Sequence, residues 1–128
     1  TNIWSQMVCE RFMRDYDYQA HLQYLRNLYS KKAKLTMDLM DRYLAPKIAY
    51  NKITGGLFTY CTLPQNVDMP DFCKQAVLRK VCTVPGSAFL TDETQPCANF
   101  RINFSTPTDA QLEKGIQILG ELADEMIR

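Results

Sequence analysis

Between Asn99 and Ser105 the chain alternates apolar and polar side chains without a break, and this pattern restricts the fold more than any other. Phe100, Ile102 and Phe104 fall on one side of an extended segment, while Asn99, Arg101, Asn103 and Ser105 fall on the other. Such a strand needs a sheet with one face on a core and one face open. The residues that follow supply a cover for the buried face. Leu112, Ile116, Leu119, Ala123 and Met126 recur at four- and three-residue steps, the stripe of a helix packed on a sheet. That helix opens at Thr106-Pro107 or at Thr108, where Gln111 three positions on completes a capping box.

The first third of the chain has the helical period. Ile3, Trp4, Met7, Val8 and Phe12 predict one amphipathic helix, which Asp15 to Asp17 interrupts. A longer helix follows, striped by Leu22, Leu25, Leu28/Tyr29, Leu35, Leu39 and Tyr43, with Lys31, Lys32, Lys34 and Arg42 outside the stripe. Pro46 ends it, because the residue before a proline avoids the helical region. The period then changes. Ile48 to Ile53 and Leu57 to Leu63 read as strands flanking Thr54-Gly55-Gly56, a hairpin-like turn, and Pro64 closes the second run. Asp68 caps a helix that tolerates Pro70 in its first turn and runs through Phe72, Ala76 and Val77 to about Lys80. Val81 to Val84 reads as a third strand, stopped by Pro85-Gly86.

These elements predict an α/β fold of the α+β type, a two-layer sandwich in which helices cover a small, mostly antiparallel sheet. Residues 1–128 form a single domain in this reading: 1–46 a helical lead-in and long helix, 47–128 a sheet with two packing helices. A net charge of +1 gives no field to gather nucleic acid or acidic membranes. No apolar run approaches the roughly 20 residues of a membrane-spanning helix. The five cysteines, Cys9, Cys61, Cys73, Cys82 and Cys97, form no Cys-x-x-Cys and have only His21 for company, so neither a metal tetrad nor a disulfide framework is expected. Reduced thiols in a cytoplasmic protein are expected instead. The chain opens on Thr1 and not on Met, from which a preceding segment is expected. His21 reads as structural, because a catalytic histidine needs partners that the sequence does not show. Tyr16, Tyr18, Tyr24 and Tyr29 read as helix packing against a neighbouring domain, because no basic stripe accompanies them.

Ile53-Thr54-Gly55-Gly56-Leu57-Phe58, Val84-Pro85-Gly86-Ser87-Ala88-Phe89 and Phe100-Arg101-Ile102-Asn103-Phe104-Ser105 occur in that order, ahead of a helix beginning near Asp109. Together they resemble the C-terminal small domain of fold-type I (class I/II) aminotransferases, nearest the aromatic, 2-aminoadipate and kynurenine branch. His21-Leu22-Gln23-Tyr24-Leu25-Arg26-Asn27-Leu28-Tyr29 resembles the long interdomain helix of that branch. The resemblance spans nearly the whole chain, and its motifs are weak singly but specific in order.

The resemblance implies amino-group transfer between an amino acid and a 2-oxo acid, with pyridoxal 5'-phosphate held by a large domain outside these residues. It implies that Arg101 binds the substrate α-carboxylate, and a planar guanidinium suits that task by offering two parallel charge-assisted hydrogen bonds. Asn103, Gly56 and Phe89 are the accompanying candidates for substrate binding. Each has a plainer reading: a solvent-facing amide, a hairpin turn, and a core aromatic after a turn. For Arg101 the plainer reading is a surface ion pair. The lysine that bonds the cofactor follows a Ser-x-x-Lys pattern in this family. None of Ser5, Ser30, Ser87 or Ser105 has a lysine three residues later, so no catalytic or cofactor-binding residue is expected here and these residues alone are expected to be inactive. A homodimer is implied for the parent, and the Ile3–Phe12 stripe is expected to pack on its large domain, leaving an apolar patch on this chain alone. Two alternatives stay open: the effector module of a winged-helix transcriptional regulator, and a stand-alone ligand-binding domain.

Overall fold

A computed structural model describes residues 2–92 and 94–127. The chain divides into two compact units, Thr1–Lys31 and Lys32–Arg128.

The first unit is helical. Helix α1 spans Ile3–Asp15, and the Asn2 side chain caps it by accepting from the Ser5 backbone N–H at 3.2 Å. Helix α2 spans Tyr18–Tyr43 and crosses the boundary between the units. Asp17 caps its start by accepting from the Ala20 N–H at 2.9 Å. No residue of α1 is buried, and Trp4 is 75% exposed. Phe12 is half-buried: it stacks on Tyr16 and takes the edge of His21 at 5.3 Å between ring centres. His21 therefore contributes an aromatic contact.

The second unit holds the sheet. Strands β1 (Ala49–Tyr50), β2 (Phe58–Thr62), β3 (Val84–Pro85) and β4 (Asn99–Asn103) lie in the order β1-β2-β4-β3, antiparallel throughout. Thr59, Cys61, Phe100 and Ile102 face inward from the central pair β2 and β4, and Phe104 follows them into the core. Helix α3 (Met69–Leu78) and helix α4 (Asp109–Met126) cover that face. Phe72 of α3 meets Phe100 at 5.4 Å between ring centres. Leu112, Ile116, Leu119 and Ala123 are buried along α4, while Met126 is half-buried. Both expected caps form: Asp68 accepts from the Asp71 N–H, and Thr108 and Gln111 complete the capping box.

Two strands depart from the sequence reading. The first is only Ala49–Tyr50, because the Ile48 N–H bonds the Leu44 carbonyl in the turn that ends α2, so Ile48 is buried outside the sheet. The third is Val84–Pro85 in place of Val81 to Val84. Val81 is consumed in closing α3. Its N–H reaches the Ala76 carbonyl and the Lys80 N–H reaches the Val77 carbonyl, the Schellman pairing, with Lys80 at φ 65° in the position glycine usually takes.

Candidate functional site

The outward face of the sheet carries an arginine whose Nε has no hydrogen-bond partner among the described residues. Arg101 sits in the middle of β4, opposite Tyr60 of β2 and Val84 of β3. Its neighbours Phe100 and Ile102 are buried on the other side, which fixes the direction in which Arg101 projects. The guanidinium carbon lies over the Phe58 ring at 4.0 Å from the ring centre and over the Phe89 ring at 4.3 Å. The two phenyl rings do not stack on each other, and two ring faces cannot both meet one guanidinium carbon from the same side at that range. The guanidinium lies between them.

Each wall comes from a different element. Phe58 pairs with Asn103 in the β2–β4 register, so it shares the outward face with Tyr60 and Arg101. Phe89 comes from the 3-10 turn Gly86–Phe89, and its ring meets Tyr60 edge-on at 6.2 Å. That turn lies so close to β4 that a Cβ on Gly86 would stand 2.5 Å from the Asn99 carbonyl oxygen and 2.7 Å from Cys97 Sγ. Only a residue without a side chain fits there, and the close approach carries Phe89 over the arginine.

Arg101 Nε is buried and has no hydrogen-bond partner among the described residues. No carboxylate among the described residues forms an ion pair with the guanidinium either. A buried donor left unmade costs about 1–3 kcal/mol, and contacts with aromatic faces return about 0.5–1 kcal/mol each. The rings border the guanidinium carbon but offer its N–H groups no hydrogen-bond acceptor. Among the described residues no acceptor bonds its buried Nε. Such an arrangement suits a planar anion arriving from outside.

The other sequence candidates fall in different places. Asn103 is on the same face, but its Oδ1 accepts from the Ser105 N–H at 2.9 Å, the Ser105 hydroxyl at 3.0 Å and the Thr106 N–H at 3.0 Å. Its carbonyl oxygen is spent shaping the turn between β4 and α4. Gly56, at φ 77°, lies in the loop between β1 and β2 with open space around its α-carbon, and no contact ties it to Arg101. Phe89 does reach the arginine. Phe58 is the site residue that sequence reasoning missed. The usable signal was its place two residues before Tyr60, which puts a large apolar side chain on the sheet's polar face.

Titratable groups elsewhere serve the fold. Burial pushes the Cys61 thiol up to about 12, on the core face of β2. Burial, and next a 2.5 Å hydrogen bond to Asp41, raise the Tyr50 hydroxyl to about 12. Among the described residues no group of histidine, cysteine, aspartate and glutamate could hold a metal ion, and no helix is long and apolar enough to cross a membrane.

No protein-family model matches the chain. An uncharacterized aminotransferase of Saccharolobus solfataricus is 32% identical over 117 residues, which cover 91% of this chain and 29% of that protein. A Pyrococcus horikoshii kynurenine aminotransferase, solved as a crystal structure, superposes on all of this chain with a TM-score of 0.90 and 24% identity, across 31% of its own length. An uncharacterized HTH-type transcriptional regulator of Escherichia coli (strain K12) is 25% identical over 118 residues, 91% of this chain and 25% of that protein. The chain thus spans less than a third of the length of each of these three proteins.

Proposed function

We propose, from the premise that this chain is the C-terminal small domain of a fold-type I aminotransferase, that Arg101 binds the α-carboxylate of the amino acid and 2-oxo acid substrates. The observation that carries the reading is the orphaned guanidinium: a buried, unpartnered Nε between two phenyl faces. Binding lets a substrate carboxylate accept from donors that otherwise lack an acceptor, and the flanking rings keep water from the faces of the group. The β4 strand is a rigid mount for it, because Phe100, Ile102 and Phe104 anchor the strand in the core.

The parent polypeptide in this reading is a pyridoxal-phosphate-dependent aminotransferase, and the cofactor, when bound, supplies the electron sink for amino-group transfer. The residues present do not fit that cofactor. Those beside Arg101 on the outward face are Phe58, Tyr60, Val84, Asn99 and Asn103, none of them a lysine or a carboxylate. The chain's share of the reaction is to bind and orient the carboxylate, and the cofactor belongs to a large domain of the parent, which we read as a homodimer.

Arg101→Lys in the full-length parent keeps the charge and loses the bidentate fork. A charge-assisted contact of this kind contributes about 2–4 kcal/mol, so kcat/KM should fall roughly 30- to 1000-fold, equally for every amino acid offered. Unchanged kcat/KM per folded molecule would remove the assignment. The regulator relative supports a second reading, in which the same arginine holds the carboxylate of an effector. Steady amino-group transfer by the purified parent would decide against it.

A further inference from the structure

We propose that Phe58 and Phe89 are positioning residues for Arg101: they clamp the plane of the guanidinium so that only its N–H edge is offered to a carboxylate. The proposal rests on the reading of Arg101 as the carboxylate site. It goes beyond that reading by assigning a role to two residues that need not bond the substrate.

The argument begins with what an unclamped arginine does. Its side chain has several rotatable bonds, and ordering it on binding costs about 0.5–1.5 kcal/mol. Arg101 has no carboxylate partner among the described residues, and its Nε has no acceptor. What lies against the guanidinium carbon is two phenyl rings, at 4.0 and 4.3 Å from their centres. A carboxylate behind the guanidinium would compete with substrate for the same donors, whereas a phenyl face leaves every N–H free. The clamp is preorganised without using up the donors it presents.

The rings are themselves held. Phe58 is fixed by the β2–β4 register, and Phe89 by the turn that Gly86 lets approach Asn99. Tyr60 touches Phe89 edge-on from the strand between the walls. Phe58 and Phe89 are 39% and 46% exposed, so neither is a core residue whose loss would collapse the domain.

The test measures inhibition of the full-length parent by 3-phenylpropionate, a carboxylate without an amino group, with 3-phenylpropionamide as the control lacking the charge. Phe58→Leu and Phe89→Leu, singly and together, keep apolar bulk and remove the planar ring. Each is made in the wild-type background and in Arg101→Lys, with thermal unfolding followed in parallel. The double Leu variant should weaken 3-phenylpropionate roughly tenfold in the wild-type background, the scale set by re-ordering one long side chain. In the Arg101→Lys background it should change binding less than twofold, because there is no longer a fork to align. Phe58→Tyr and Phe89→Tyr, which keep the ring face, should bind the probe as the wild type does. Equal weakening in both backgrounds would mean that the rings touch the ligand directly, and would overturn the clamp. No weakening in either would overturn it too. If Arg101→Lys alone leaves 3-phenylpropionate binding unchanged, the carboxylate reading itself fails, and the clamp falls with it. Should the double variant not fold, the two single variants give the same comparison.

Discussion

The two faces of the sheet are built from the same strands and behave as opposites. On the inner face, Cys61, Phe100 and Ile102 are packed against α3 and α4 by residues of this chain alone. On the outer face, Phe58, Tyr60 and Arg101 come from the same two strands, yet they leave a buried donor unmade and a pair of rings half in water. The inner face is self-sufficient. The outer face leaves the Arg101 Nε without an acceptor among the described residues. One alternating strand therefore carries two kinds of information: its even positions report stability, and its odd positions report recognition.

Breaking the inner face should produce the largest effect. Phe100→Ala removes a fully buried ring that packs on Phe72, and should cost about 3–5 kcal/mol, read as a lowered denaturant midpoint. Arg101→Lys, one position along, should change stability by less than about 0.5 kcal/mol while removing most of the parent's turnover. If the two variants lost stability alike, the division between the faces would be false.

The close approach at Gly86 offers a sharper probe, because it serves both faces. Gly86→Ala forces a Cβ against the Asn99 carbonyl oxygen and should cost about 1–3 kcal/mol. It should also displace Phe89 and weaken carboxylate binding. Gly120→Ala, where a Cβ would meet the Tyr43 carbonyl oxygen at 2.5 Å between α4 and the end of α2, should cost a similar amount of stability. It should leave binding per folded molecule alone, since Gly120 lies on the core side. Denaturation and probe binding measured on the same two variants separate these outcomes.

A smaller effect appears at alkaline pH. Burial holds the Cys61 thiol protonated to about 12 in the fold, from an ordinary value of 9.0. The unfolded chain therefore loses this proton first, and the contribution of Cys61 is complete below pH 9 and is lost as pH rises from 9 toward 12. Going from pH 8 to pH 10 should lower stability by about 1 kcal/mol, at 1.36 kcal/mol per pH unit past the unfolded value. Tyr50 adds to the loss only above 10, its ordinary value. In Cys61→Ala the decline between pH 9 and 10 should shrink to the part that Cys73 contributes, its thiol also being raised by burial, and an unchanged decline would assign it to another group. Cys9 and Cys82, which are exposed, should react with iodoacetamide at pH 8 while Cys61 does not.

The inner face was readable in the sequence because its signals are local. The Phe100, Ile102, Phe104 alternation needs only neighbouring residues, and the capping box of Thr108 and Gln111 spans one helical turn. Leu112, Ile116, Leu119 and Ala123 declare their shared face by spacing. The edge strands were less legible because hydrogen bonds outside the sheet claimed their residues. Ile48 and Val81 look like strand residues by type, but their N–H groups close the ends of α2 and α3. For the site, Arg101 could be singled out from its strand and its flanking motifs, and Phe89 from the motif after β3. Phe58 needed the β2–β4 register, a pairing between segments far apart in the chain. Asn103 shares the face that the alternation gave it, but its hydrogen bonds to Ser105 and Thr106 depend on the turn's actual shape.

The walls around Arg101 stand on separate supports, Phe58 on a hairpin strand and Phe89 on a short turn after β3. For anyone redesigning the parent, this makes the site modular. A library at position 58 alters one wall without moving the support of the other, and so does a library at position 89. Because neither phenyl ring carries a polar atom, exchanging one for an aliphatic side chain changes the shape beside Arg101 without adding a competing hydrogen bond. The turn's dependence on Gly86 marks the one neighbouring position that such libraries should leave untouched.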